Sequence, residues 1–247
     1  MDMQLLLRRP NKEIHRRGDE CVKLFNDCVP AADVLREAMN QAFAEAAGLP
    51  VPRLREVTKL GGRWAIIYDF VEGETLLQRM EAAPGDRQWM ELFVQLQMET
   101  HAAQIPQLQR QRDKLHRKIS AAAAHGLDAT TRYELHVRLD TIAPNQKVCH
   151  GDFVPSNILL REGRAFIIDW AHLTQGNAAA DAANTYLTLE KRGYSGLASS
   201  YLKLYCELSD TARQYVAKWI PIVAGAALDK CPAEERGFYL ARCEGLV

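Results

Sequence analysis

No excess charge of either sign marks this 247-residue chain, in which 31 Lys and Arg balance 31 Asp and Glu. A chain without a global field has no general attraction to nucleic acid or to an anionic membrane. No apolar run approaches the roughly eighteen residues that a membrane span requires. The six cysteines, Cys21, Cys28, Cys149, Cys206, Cys231 and Cys243, form neither a CxxC pair nor a zinc-like spacing. They therefore suggest no structural metal, and a reducing cytoplasm is their expected home. Met1 to Leu7 is too short to form the apolar centre of a secretion signal. No internal repeat or low-complexity linker interrupts the chain. What remains is ordinary for a globular protein, with 47% hydrophobic and 25% charged residues. The length suits one two-lobed domain or two small ones.

Against this background one segment carries chemistry. His150-Gly151-Asp152 is followed by Asn157 and then by Asp169, which lies within Phe166-Ile167-Ile168-Asp169-Trp170. A hydroxyl attacking a nucleotide γ-phosphate needs an acceptor for its proton and a fixed line of approach, and one carboxylate supplies both. Asp152 is the candidate. The polyphosphate also needs Mg²⁺, a hard ion that prefers carboxylate and amide oxygens, and Asn157 and Asp169 have those groups. Between them, Ile158 to Leu160 and Ala165 to Ile168 read as two short buried strands joined by a polar, Gly-containing turn. Such a hairpin is expected to bring the loop holding Asp152 and Asn157 close to Asp169.

His-Gly-Asp with Asn five residues beyond the Asp, followed by Ile-Asp-Trp, resembles the signature of the aminoglycoside phosphotransferase and choline kinase superfamily. These are small-molecule kinases with a protein-kinase-like fold. The resemblance implies an α+β, bilobal protein-kinase-like fold with a small antiparallel-sheet N-lobe and a mainly helical C-lobe. It implies Asp152 as catalytic base, Asn157 and Asp169 as magnesium ligands, and His150 as a brace for the catalytic loop. It further implies that Asp181, in the opening turn of a helix beginning near Gly176, accepts backbone N–H groups of that loop.

The amino-terminal third tests this independently. Cys21 to Phe25 is a short apolar run with Lys23 at its centre, a strand whose charge must meet something negative. Fourteen residues on, Glu37 lies in an Ala-rich helical stretch from Ala31 to Phe43 that ends near Gly48. By resemblance, Lys23 contacts the α- and β-phosphates and pairs with Glu37. Val51 to Leu54 and Arg63 to Val71 read as further strands with Gly61-Gly62 as a turn, and Thr75 reads as a helix N-cap. The resemblance places the hinge at 69–74, where backbone near Asp69 and Val71 holds the purine. The lobes are expected at 1–68 and 75–247. One departure stands out: Arg9 to Gly18 contains only Gly18, where kinase-like folds use a glycine-rich loop to cover phosphate. Lys12 and neighbouring amides are the candidates for that covering.

From Thr75 to about Ile142 the composition suits helices, broken at Ala83 to Asp86, Ile105-Pro106 and Gly126. Arg110, Arg112, Lys114, Arg117 and Lys118 read as a solvated basic face. His101 and His116 read as surface or packing residues, and Tyr201, Leu202, Tyr205, Trp219, Ile220, Val223 and Ala226 read as the packed faces of later helices. The expected reaction uses Mg²⁺ and ATP, with GTP as an alternative, to phosphorylate an alcohol group on a small molecule. No nucleic acid or membrane partner is expected, and the sequence is silent on oligomeric state. For the acceptor, an aminoglycoside would call on carboxylates from Glu190, Glu207, Asp210, Asp229, Glu234, Glu235 and Glu244. A choline-like cation would call on Tyr186, Tyr194, Trp170 and Trp219. A sugar or other metabolite alcohol is equally compatible. A nucleotide-binding pseudokinase or regulatory module is the rival class, and the intact Asp152, Asn157 and Asp169 speak against it. A protein kinase is a second rival, opposed by the absence of a long activation segment with Ala-Pro-Glu after Asp169.

Overall fold

The structure is a computed structural model that describes residues 3–243. Its first elements are β1 (Gln4–Arg9), β2 (Lys12–Arg17), β3 (Glu20–Phe25), α1 (Ala31–Ala46), β4 (Leu54–Leu60), β5 (Arg63–Asp69), β6 (Glu74–Thr75) and α2 (Leu76–Ala82). Next come α3 (Arg87–Ala102), α4 (Gln111–Ala121), α5 (Ala129–Thr141), β7 (Lys147–Cys149), β8 (Ile158–Arg161), β9 (Arg164–Ile167) and β10 (Thr174–Gly176). Four helices follow: α6 (Ala178–Lys191), α7 (Ser195–Ser209), α8 (Arg213–Ala227) and α9 (Arg236–Cys243).

The chain forms two compact units, one running to Gly85 and including Pro155–His172, the other comprising Asp86–Val154 and the chain from Leu173 onward. The lobe lines expected at 68 and 75 follow chain order. Compactness instead groups α2 and the β8–β9 hairpin with the first unit, because β6 pairs with β8 through Glu74 and Thr75.

In the first unit five antiparallel strands lie in the order β1-β2-β3-β5-β4. Side chains alternate across a strand, and β3 shows why that matters here. Val22 and Leu24 pack with Ala65 and Ile67 on one face. Phe25 packs on the other, with Ile66 and with Val34 and Ala38 of α1. Lys23, two residues before Phe25, therefore faces α1. The turns suit tight hairpins: Gly61 and Gly62 have φ of 55° and 84°, and Glu162 and Gly163 have 48° and 74°. Two consecutive positive φ values are what a two-residue turn matching the strand twist requires.

One strand expectation needs correction. Of Val51 to Leu54 only Leu54 is extended in the sheet, and β4 runs on to Leu60. Prolines lack an N–H for a ladder, and here Pro50 and Pro52 act as acceptors. The Pro50 carbonyl receives the Ile167 N–H at 2.7 Å, and the Pro52 carbonyl receives the Gln41 side-chain amide at 2.6 Å.

The second unit is helical around a two-stranded ribbon of β7 and β10. The helix breaks fall where expected, and Asp86, Asp128 and Asn177 cap α3, α5 and α6 with their side chains. Phe93 lies 5.1 Å from the Phe153 ring and 5.4 Å from that of Tyr201, and Trp219 and Val223 are buried. The basic face on α4 is not uniformly solvated: Arg112, Lys114 and Lys118 are half-buried, and Arg112 donates to the Ile142 carbonyl. Burial lowers the Lys118 ammonium pKa despite the nearby Asp229 charge. His116, expected at the surface or in packing, is half-buried, stacks on His136 and reaches Asp140 at 3.0 Å. Among the described residues no helix is long and apolar enough to cross a membrane.

Candidate active site

The first unit gathers four of the residues that carry the expected chemistry. Lys23, buried on β3, donates to Glu37, buried on α1, and also to Asp169 Oδ1 at 2.9 Å. Lys12, at the start of β2, donates to Asp169 Oδ2 at 3.0 Å. Buried charges persist only when paired, and this group is internally balanced, two ammoniums against two carboxylates. Burial alone would lower the Lys23 pKa, but Asp169 and Glu37 outweigh it and hold the ammonium charged well above its ordinary value. For Asp169 burial acts upward, yet the charges and hydrogen bonds of Lys23 and Lys12 hold it ionised well below the usual carboxylate range. Lys12 is lowered by burial and then by Lys23, against the pull of Asp169 and Glu37.

Asp169 sits just past β9 with φ of 66°, a left-handed conformation unfavourable for a residue with a Cβ. Its surroundings enforce it. Ile168 donates its N–H to the Asn157 carbonyl at 2.9 Å, and Asn40 of α1 donates to the Trp170 carbonyl at 3.0 Å. Asn157 itself ends the short turn Pro155–Asn157 before β8. The hairpin thus brings the Asn157 backbone beside the residue preceding Asp169. An ionised carboxylate and a neutral amide on adjoining backbone suit Mg²⁺, which takes hard oxygen ligands. Among the described residues no group of three or more His, Cys, Asp or Glu is disposed to hold a metal. At the end of β5, Asp69 is engaged by Arg55 and donates its N–H to the Arg53 carbonyl at 2.9 Å, while Val71 is buried two residues past the strand.

The second unit holds the His150-Gly151-Asp152 loop. Asp181 on α6 accepts the N–H groups of His150 at 3.3 Å and Gly151 at 2.7 Å. Two more residues of the same helix face join it: Asn184 donates to the Gly151 carbonyl at 3.0 Å, and Thr185 donates to the Phe153 carbonyl at 2.7 Å. Gly151 has φ of 80°, and Asp152 donates its N–H to His150 Nδ1 at 3.2 Å. Burial would raise the Asp181 carboxyl. The hydrogen bond from His101, the charges of His101 and His150 and the Gly151 N–H reverse that and hold it below its ordinary value. Asp152 is half-buried, and its charge, after burial and the charges of Glu235 and Cys231, helps push the Tyr239 phenol on α9 up to about 12.

Several positioning residues escaped the sequence reading. His101, expected at the surface or in packing, is buried and lies 3.1 Å from Asp181. Gln97, one turn earlier on α3, donates to Asp181 and Thr185 and accepts from Tyr201. Asn40 and Gln41 were missed on α1, as were Asn184 and Thr185 on α6. A signal existed: Glu37/Asn40/Gln41 and Asp181/Asn184/Thr185 are both i, i+3, i+4 polar sets in Ala-rich helices, the spacing of one helix face. Of the aromatic candidates, Trp170 and Trp219 are core residues, and Trp170 donates to the Ile167 carbonyl.

The Lys–Glu–Asp cluster and the Asp-held loop can be set beside known proteins. An aminoglycoside-3'-phosphotransferase of type VIII superposes with a TM-score of 0.69 at 18% identity, covering 91% of this chain and 93% of its own. A choline/ethanolamine kinase family protein from Mesorhizobium loti gives 0.70 at 15% identity, covering 99% and 87%. A thermostable mutant aminoglycoside phosphotransferase, in ternary complex with AMP-PNP and hygromycin B, gives 0.71 at 15% identity, covering 98% and 92%. At this identity the likeness establishes the protein-kinase-like fold these enzymes share. No curated protein matches the sequence. The model of a family described as the phosphotransferase enzyme family matches residues 11–218, a stretch that takes in Lys12, Lys23, Glu37, Asp152, Asn157, Asp169 and Asp181. A match over most of the chain decides the matter, and the protein belongs to the phosphotransferase enzyme family.

Proposed function

We propose that the protein is a small-molecule kinase that moves the γ-phosphate of Mg-ATP to a substrate hydroxyl. The observation that carries this reading is Lys23, buried and braced by Glu37 while also bonded to Asp169. Keeping the Lys23 ammonium and the Glu37 carboxylate out of water, with half-buried Asp169 beside them, is costly unless they serve one another or a ligand. In this reading Lys23 steadies the α- and β-phosphates, and Asn157 and Asp169 hold Mg²⁺. Bound magnesium supplies neutralisation of phosphate charge. Backbone at Asp69 and Val71 receives the purine. ATP is favoured as donor because AMP-PNP, bound by one structural neighbour, is an ATP analogue. Asp152 accepts the hydroxyl proton or orients the hydroxyl, on a loop whose N–H and C=O groups are fixed by Asp181, Asn184 and Thr185. His150 braces that loop by accepting the Asp152 N–H. Six free thiols suit a reducing compartment such as the cytoplasm.

The partners of several candidate residues weigh toward a neutral metabolite alcohol as acceptor. Of the carboxylates a polycationic aminoglycoside would call on, Glu235 already faces Lys191 at 2.7 Å and Glu190 and Glu207 face Arg242 and Lys203 at 4.0 Å, while Asp210 and Glu234 are exposed. Glu244 lies outside the described residues. A quaternary ammonium needs accessible aromatic faces, and two of the four candidates, Trp170 and Trp219, are buried in the core. The test is an ADP-release screen over sugars, polyols, amino alcohols and aminoglycosides with Mg-ATP and Mg-GTP. Turnover with a sugar or polyol is expected. Turnover with aminoglycosides alone would reverse the acceptor assignment, and none with any alcohol would favour a nucleotide-binding regulatory module.

A further inference from the structure

The β1–β2 turn is where a kinase-like fold ordinarily offers backbone N–H groups to phosphate, and here it has little to offer. It consists of Pro10 and Asn11, and proline has no N–H. Both carbonyls of the turn are engaged by Asn26 at the end of β3: its N–H donates to Asn11 at 3.0 Å and its side-chain amide to Pro10 at 2.7 Å. The turn is tied to the sheet by carbonyls, with no glycine to let it lie flat on a polyphosphate.

A side chain stands in that place. Lys12 is paired directly opposite Phe25, and Ile14 is opposite Lys23. Cross-strand partners share a face, so Lys12 projects from the same face of the sheet as Lys23, toward α1. Its ammonium reaches Asp169 Oδ2, the oxygen left over when Lys23 takes Oδ1. Lys23 is secured by Glu37 as well, whereas Asp169 is the carboxylate that Lys12 is bonded to.

We propose that Lys12 is a phosphate-binding residue, a side-chain cation replacing the missing backbone cradle, which rests on Asp169 until nucleotide arrives. The inference rests on the kinase reading above and deepens it. Asp169 is a residue that would hold the metal, and a metal there would compete with Lys12 for its oxygens. The ammonium, on a flexible four-carbon stem with three donors, then exchanges one anionic oxygen for another. A metal-bound triphosphate keeps net negative charge, so the exchange does not strand the cation. Lys12 thereby guards the site twice, neutralising Asp169 when empty and the phosphates when full.

The test measures binding by calorimetry on the purified protein, with adenosine, ADP and ATP, each with EDTA and with magnesium. Lys12→Met keeps the stem and removes the charge, Lys12→Gln is a second neutral form and Lys12→Arg restores the cation. The ratio of ATP to adenosine affinity is expected to fall about tenfold to a hundredfold in either neutral variant, as for loss of a charge-assisted hydrogen bond, and to recover in Lys12→Arg. Adenosine affinity and the circular dichroism spectrum should stay at parental values. An unchanged ratio, with nucleotide still bound, overturns the role of Lys12 and leaves the kinase reading standing. Failure of the parent itself to prefer ATP over adenosine overturns both.

Discussion

Asn40 donates its side-chain amide to the Trp170 carbonyl, one residue past Asp169, from the same face of α1 that pairs Glu37 with Lys23. One helix therefore sets both the charge that Lys23 sees and the backbone that aims Asp169. Asn40 and Glu37 are three residues apart, which puts them side by side on the helix. This couples the strand lysine to the left-handed turn at Asp169 through a single rigid element.

Removing that amide should expose the coupling. In Asn40→Leu the bond from Asn40 to the Trp170 carbonyl is lost, at a cost of about 1–3 kcal/mol. The strained φ at Asp169 loses one of its restraints at the same time. Urea unfolding should show the loss of stability. Magnesium-dependent ATP affinity should weaken while metal-free adenosine affinity holds. A variant as stable as the parent, with undiminished magnesium dependence, would remove Asn40 from this role.

Asp152 is expected to matter for chemistry and little for binding. Its loop is held by backbone bonds to α6 and by His150, and Asp152→Asn is isosteric and leaves those bonds in place. Asp152→Asn should therefore retain the fold and nucleotide affinity but lose turnover by about a hundred- to ten-thousandfold, the usual scale of general-base catalysis. The measurement is a comparison of ADP release with ATP binding on one preparation. Parental turnover would strip Asp152 of its assigned part.

Asp181 gives a prediction in pH. Its carboxyl is held below its ordinary value in the fold, so the unfolded chain binds its proton more readily. Stability from this group is complete above the unfolded value of about 3.9 and is withdrawn as pH falls from there through the folded value. Asp181→Asn also turns an acceptor-only group into one whose NH₂ must oppose either the His150 or the Gly151 N–H, which bond to different oxygens of Asp181. The variant should be less stable than the parent at neutral pH, and the gap should narrow below about pH 4. Urea midpoints across pH 3 to 8 would show it, and a gap that widened toward acid would contradict a depressed Asp181 pKa.

The residues that announced themselves in the sequence are those whose chemistry is local. Asp152, Asn157 and Asp169 lie within one short segment, and the strands between them follow from two apolar runs on either side of a polar, Gly-containing turn. Lys23 was legible because a lysine in a buried strand demands an anion, and Glu37 because a helix follows at once. Asn40, Gln41, His101, Asn184 and Thr185 stayed hidden because four of them serve backbone carbonyls and His101 serves a carboxylate 80 residues distant. A carbonyl has no signature in side-chain identity, so only the repeated i, i+3, i+4 spacing hints at such work. The extension of β4 to Leu60 was obscured for a related reason. Lys59 and Glu56 lie on an edge strand, where one side of the ladder is open and polar residues are tolerated.

Gly73 lies between the expected purine contacts and β6, and the structure demands glycine there for room rather than for φ. A Cβ at Gly73 would press into the Leu160 carbonyl oxygen and lie 3.0 Å from its carbonyl carbon. That carbonyl belongs to the residue paired with Glu74, so neither backbone can retreat without opening the β6–β8 pair. Gly163, in the β8–β9 turn, is the contrasting case. Its φ of +74° disfavours a side chain, but nothing lies within 4 Å of where a Cβ would stand. Gly163→Ala should cost only about 1–2 kcal/mol of local strain and leave adenosine affinity unchanged. Gly73→Ala should cost about 1–3 kcal/mol through overpacking and also weaken adenosine, because the displaced backbone continues directly into Val71. Thermal melts and adenosine titrations of the two variants side by side separate strain from crowding. If both lost stability alone, with adenosine binding intact, the segment from Asp69 to Val71 would no longer serve as the purine-binding stretch.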